Sequence, residues 1–200
     1  LRASLLIGLA VLFGTLVQPA RADLTTGADN VSGHRTSGPF GWDYSYQRVF
    51  DGKDVIKDVQ INFSFHNSWG AHEILGWMQA AETALENQWN DKYRLRDKDT
   101  GKTYGVGVDV TFEGYDNGTR FDQTVNVWED GKVPGPEPDR TNMTNWQWGD
   151  TGTVMSHEFG HMLGLYDEYA GGAQDPANPL DDADSLMGWG ALKPNPTMPR

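Results

Sequence analysis

His157-Glu158-Phe159-Gly160-His161-Met162-Leu163-Gly164-Leu165-Tyr166-Asp167 is the stretch on which the fold of this chain turns. Residues four apart lie on one face of a helix, so His157 and His161 can offer two imidazole nitrogens to one ion. Glu158 follows the first histidine directly and sets a carboxylate beside that ion. A base must stand there to take a proton from a zinc-bound water. Gly164 comes three residues after His161 and can adopt the left-handed conformation that ends a helix. The chain can then turn back and bring Asp167 to the same ion as a third ligand. Two histidines and one carboxylate leave a fourth tetrahedral position for water, the mark of a catalytic rather than a structural zinc site. His-Glu-x-x-His alone is a weak signal, because its fixed residues recur by chance. Gly164 and Asp167 in register strengthen it.

Upstream of this helix, Asp150-Thr151 offers an N-terminal cap. Val154, Met155, Phe159 and Met162 can bury its other sides, and the two methionines read as core. Farther back, Val106, Val108, Val110 and Phe112 alternate with polar or small residues, as do Val59, Ile61, Phe63 and Phe65. A period of two predicts half-buried strands. Tyr44 to Phe50 and Phe121 to Trp128 are further expected strands, and Tyr93 to Arg96 is expected to form a hairpin with Thr103 to Glu113. Ile74, Met78, Ala81 and Leu85 recur at helical spacing and predict a helix over Ala71 to Trp89, capped by Asn67 or Ser68. His72-Glu73 within it lacks a second histidine, since residue 76 is Gly76, and reads as surface. Val133 to Arg140 holds three prolines and is expected to be a loop.

Downstream, Asp175, Asp181, Asp182 and Asp184 cluster in a Gly- and Pro-rich segment. Such a cluster reads as a solvated acidic loop, with Ca2+ as the alternative occupant. Asp97 and Asp99 resemble a calcium loop only in part, because the glycine and later glutamate of that loop are out of place. Ser185-Leu186-Met187-Gly188-Trp189 follows the acidic segment.

The chain is 200 residues long, enough for one domain with a real core. Leu5 to Val17 is apolar apart from small residues, Arg2 precedes it and Ala20-Arg21-Ala22 follows, which predicts a signal peptide over 1–22. Residues 23–40 are small and polar and are expected to be a flexible mature N-terminus. Residues 41–200 then form the main domain. No cysteine is present, so a secreted protein of this kind relies on packing and metal rather than disulfides, and no thiolate can block the metal. Removing Arg2 and Arg21 takes two positive charges from a net of −12, leaving −14. That charge disfavours a nucleic acid or an anionic membrane surface as partner. No stable membrane association is expected after signal cleavage, and the protein is expected to be an extracellular or periplasmic monomer.

His157, Glu158, His161, Gly164 and Asp167, followed by Ser185-Leu186-Met187, resemble the metzincin clan of zinc metallopeptidases, and are similar to its snapalysin-like or matrixin-like secreted members. Asp in place of a third His is closer to the small bacterial members similar to snapalysin. The resemblance covers about Tyr44 to Trp189. It implies an α+β, metzincin-like zincin fold. A twisted, mostly parallel sheet would carry two helices, with a small irregular part after Gly164 below a zinc cleft. A strand around Thr124 to Trp128 would form the cleft edge, where a peptide could add as a strand. It implies a methionine turn that sets Met187 beneath the zinc. It also implies a secreted zinc-dependent endopeptidase, with Zn2+ as cofactor, protein or peptide as substrate, and Glu158 as general base. Tyr166 or Tyr169 would serve as a transition-state donor, because Trp189 stands where some families place a tyrosine. The clan's last helix is expected to be missing, since Pro194, Pro196 and Pro199 preclude one. The alternative is a catalytically inactive zinc-binding adhesin or carbohydrate-binding module on the same fold. Glu158 argues against it, because zinc binding alone does not need that carboxylate.

Overall fold

The computed structural model describes residues 26–98, 101–112 and 122–199. The expected signal peptide, Asp99 and Phe121 lie outside these residues. In chain order the elements are β1 (Gly27–Ser37), β2 (Phe40–Phe50), β3 (Asp54–Phe65), α1 (Ala71–Trp89), β4 (Tyr93–Arg96), β5 (Thr103–Phe112), β6 (Gln123–Trp128), β7 (Asn145–Gln147) and α2 (Gly152–Met162). A 3-10 turn at Trp189–Leu192 follows within a largely irregular stretch after α2. The fold is α+β, with two helices and one mixed sheet.

β3 organises the sheet. One of its edges takes β5 in parallel, from Asp54↔Gly105 to Ile61↔Phe112. The other edge is shared by two strands. β2 pairs antiparallel with residues 55–58, and β6 pairs in parallel with 61–65. Asp122 fills the fork between them. Its carboxylate accepts from the Gln60 N–H at 3.0 Å and from the Ser45 hydroxyl at 3.1 Å. The fork lets β2 and its partner β1 peel away from the sheet toward the end of α2.

Three departures from the sequence reading follow. The sheet is mixed rather than mostly parallel, since β1·β2, β2·β3 and β4·β5 are antiparallel. The segment expected to be a flexible N-terminus over 23–40 contains β1, paired with β2 along its whole length from Gly27↔Phe50 to Ser37↔Phe40. Gly33 leaves room for the Tyr44 ring, which a Cβ there would overlap. Finally, β7 takes up the outer edge of β6 over Asn126–Trp128, most of the Thr124 to Trp128 stretch expected to form the cleft edge. β7 has only three residues, too few for periodicity to show.

The core joins sheet and helices. Val59, Ile61, Val110 and Val125 meet Met78, Ala81 and Leu85 of α1 and Met155, Phe159 and Met162 of α2. These are the apolar positions that period and spacing pick out. The α1 cap is Gly70, not Asn67 or Ser68. Glu73 reaches back to accept from the Gly70 N–H at 2.8 Å, while Asn67 accepts from the Trp69 N–H at 3.2 Å. Among the described residues no helix is long and apolar enough to cross a membrane.

Candidate metal centre

α2 begins at Thr151, whose hydroxyl accepts from the Val154 N–H at 3.4 Å. The Trp89 indole N–H donates to the Ser156 carbonyl at 3.2 Å and fixes α1 against α2 one residue before His157. Gly160 lets Met187 approach the helix between the two histidines, since a Cβ there would overlap the Met187 sulfur. Gly164 has φ +83° and closes the helix. The Leu165 N–H donates to the Gly160 carbonyl at 3.0 Å and the Gly164 N–H to the His161 carbonyl at 2.9 Å, the paired bonds of a Schellman turn.

That turn also sets a ring. The Leu165 carbonyl lies 2.9 Å from His161 Nδ1, and the Leu186 carbonyl lies 2.8 Å from His157 Nδ1. A carbonyl only accepts, so each Nδ1 carries a hydrogen and a neutral ring presents an Nε2 lone pair. Asp167 completes the set. The Ala173 N–H donates to Asp167 Oδ2 at 2.6 Å, and the Asp167 N–H donates to the Ala173 carbonyl at 3.1 Å. Asp167 Oδ1 is thereby held 3.2 Å from His157 Nε2 and 3.3 Å from His161 Nε2. It is buried and accepts no aligned hydrogen bond.

Ligand bonds of about 2.0–2.1 Å at tetrahedral angles place neighbouring donor atoms about 3.3 Å apart. Both separations to Asp167 Oδ1 match such an edge, so these residues fit zinc. The Glu158 carboxylate also falls within a group whose donor atoms lie within 4.8 Å of the two histidines. Asp167 is the better third donor, because its oxygen lies within 3.3 Å of both rings. Glu158 is left beside the set in the position of a base.

Burial alone would push the Asp167 carboxyl up, but in the metal-free fold a second proton on His157 or His161 makes its Nε2 a charged donor toward Asp167, which outweighs burial and holds the carboxyl well below the usual range. Glu158 moves the other way. Burial pushes it up to about 7, with Asp167 and Asp150 adding to the shift and His157 and Arg140 opposing it. Two nearby carboxylates are thus separated, one firmly anionic and one poised near neutrality.

A cleft of about 470 Å³ opens onto His157, Glu158, His161 and Asp167. Tyr169 lines it and Tyr166 does not; Tyr166 packs edge-on against Trp42 at 5.3 Å. Burial, then the Asp167 charge, pushes the Tyr169 hydroxyl up to about 12, so it keeps its proton. The facing wall is formed by residues 133–144, with no residue of β6 on it. Glu168, next to Asp167, is buried and held by backbone bonds of 2.7 Å to Met187 and Asp182.

Several residues at the site are absent from the sequence reading. The Trp42 indole N–H donates to the His161 carbonyl at 3.1 Å, and its ring stands edge-on to His161 at 5.3 Å. Arg35 Nε donates to the Gly164 carbonyl at 3.0 Å. Arg140 lines the cleft. No local spacing signals these contacts, since Trp42 and His161 are 119 residues apart. Among the described residues, the acidic cluster considered for Ca2+ brings donor atoms of no three residues within 4.8 Å of one another. Asp175 accepts from the Ala177 N–H, Asp182 accepts from the N–H groups of Asp184 and Ser185, and Asp184 pairs with Lys193.

No protein-family model, curated protein or solved structure matches this chain.

Proposed function

We propose that this chain is a secreted zinc-dependent endopeptidase with a metzincin-like arrangement, cutting proteins or peptides. The observation that carries the reading is the convergence of His157 Nε2, His161 Nε2 and Asp167 Oδ1, with Glu158 beside them in an open cleft. Zinc held by these three residues would supply Lewis acidity, polarising the scissile carbonyl and acidifying a water. Glu158 takes the proton from the attacking water and passes it to the departing amine nitrogen. Burial raises this carboxyl in the metal-free fold, and a cation held beside it would pull it back toward the ionised form that a base needs. The Tyr169 hydroxyl, protonated and facing the cleft, donates toward negative charge developing on the carbonyl oxygen. Leu165 and Leu186 hold the imidazoles through their Nδ1 hydrogens, as outer partners of metal ligands commonly do. Asp167 leaves the site with less net positive charge than three neutral histidines would, so more of the deprotonation falls to Glu158.

The test is metal analysis and casein digestion with purified protein. About one equivalent of zinc is expected, with activity lost to a chelator and restored by zinc. Glu158→Gln should keep its zinc and lose activity roughly a hundredfold or more, the usual scale of general-base catalysis. Absence of zinc together with chelator-resistant proteolysis would sink the reading. So would near-normal turnover by Glu158→Gln.

A further inference from the structure

The described residues lining the cleft include a single permanent cation, Arg140, among the carboxylates Glu137, Glu158 and Asp167. The chain as a whole carries −12. One partner of Arg140 is visible: its Nη1 donates to Glu137 Oε2 at 3.0 Å. Both side chains are largely exposed, at 59% and 62%, and an exposed pair contributes little. A guanidinium has five N–H donors, and this is the only side-chain hydrogen bond Arg140 makes among the described residues. Arg140 lines the cleft, so a ligand there can reach the rest of its fork. A planar fork of that kind takes a carboxylate through two parallel bonds, which a neutral amide cannot match.

Two further observations set the place. The wall beside Arg140 is apolar, with Val133, Pro134, Pro136 and Met143, and an apolar wall strengthens a charged contact by excluding water. Arg140 also lines the same cleft as His157, Glu158, His161 and Tyr169, so it stands at the reacting end.

We infer that Arg140 is a specificity-determining residue that receives a carboxylate of the bound peptide close to the bond that is cut. The inference rests on the endopeptidase reading. The carboxylate has two possible sources, an acidic side chain or the free end of a peptide.

Fluorogenic peptides of one parent sequence test it, with Glu, Gln or Lys placed in turn at each position flanking the cut. A second set compares a free C-terminus with its amide. Wild type should favour Glu over Gln at one position by roughly tenfold or more in kcat/KM, the scale of a hydrogen-bonded charge. Arg140→Ala should bring that ratio close to one, Arg140→Lys should keep part of it, and Arg140→Glu should turn the preference toward Lys. If the preference follows the free C-terminus instead, Arg140 reads the chain end. Equal rates for Glu and Gln and for acid and amide, or a preference unchanged in Arg140→Ala, would overturn the inference. The same peptides are bound to Glu158→Gln with and without Arg140→Ala and followed by fluorescence anisotropy. If wild type cuts nothing, the endopeptidase reading fails by itself and this binding decides for Arg140. Tighter binding of carboxylate peptides, lost with Arg140→Ala, supports it, and equal binding overturns it.

Discussion

Asp167 and Glu168 are adjacent carboxylates in different surroundings. Asp167 turns Oδ1 to the two Nε2 atoms, while Glu168 is anchored through its backbone to Met187 and Asp182. Asp167→Ala should therefore give up zinc at chelator concentrations that wild type withstands. Glu168→Ala should keep its zinc and lose thermal stability instead, because its buried site is emptied. Asp167→His should hold zinc well. Zinc titration of the three variants decides the matter, and a zinc-deficient Glu168→Ala would move the third ligand by one residue. Glu158 supplies a second prediction at this scale. Its carboxyl sits at about 7 in the metal-free fold against an ordinary 4.5. As pH rises above 4.5 the unfolded chain ionises first, so stability present below that pH is lost progressively up to about 7. Metal-free Glu158→Gln should lack this decline and gain on wild type across the same window. Urea unfolding at a series of pH values in chelator measures it. Parallel curves for the two proteins would contradict the buried, neutralised carboxyl.

At the scale of elements, the end of α2 matters most. Gly164 combines φ +83° with a Tyr44 ring 3.1 Å from where a Cβ would stand. Gly164→Ala should cost about 1–2 kcal/mol for the left-handed backbone alone, more with the ring displaced. It should also weaken zinc, since the same turn aims the Leu165 carbonyl at His161. Calorimetry and zinc titration test the two effects together, and normal zinc affinity in a destabilised variant would separate the turn from the site. What could be read from sequence follows from how each element earns its form. α1, β3 and β5 carry their own apolar periods, so Met78, Leu85, Val59 and Val110 fall in the core as expected. α2 and its turn are local too, which is why His157, His161, Gly164 and Asp167 could be read together. β1 is different. Val31 is the one hydrophobic side chain of that strand packed against the core, and the strand's other residues gain their role only from β2 and the end of α2. Arg140 and Trp42 reach the site across the fold, and no window of sequence contains both ends of such a contact.

For the whole molecule, the centre is a junction of segments far apart in the chain. α2 supplies two donors, the stretch after Gly164 supplies Asp167, and the 185–187 segment supplies the Leu186 carbonyl and the Met187 packing. A ligand bound by folded but not unfolded chain stabilises the fold by mass action, by about 2.7 kcal/mol at a hundredfold excess over its Kd. For a domain of this size that is a rise in Tm on the order of 5–10 °C. A thermal melt with zinc against one with chelator should show it. No shift would mean that zinc does not prefer the folded chain, which would overturn the centre built here.

The β1–β2 hairpin touches the last third of the chain through contacts spanning 119, 129 and 137 residues, from Trp42 to His161, Arg35 to Gly164 and Ser37 to Gln174. Contacts of such long sequence separation form late, because large loops must close before they can help. During synthesis the hairpin emerges first and has nothing to clasp. His157 acquires its settled orientation only when the chain around Leu186 has been made and folded back. On the peptidase proposal this topology carries a delay: the nascent chain must be made past Leu186 before it can cut anything, its own neighbours included.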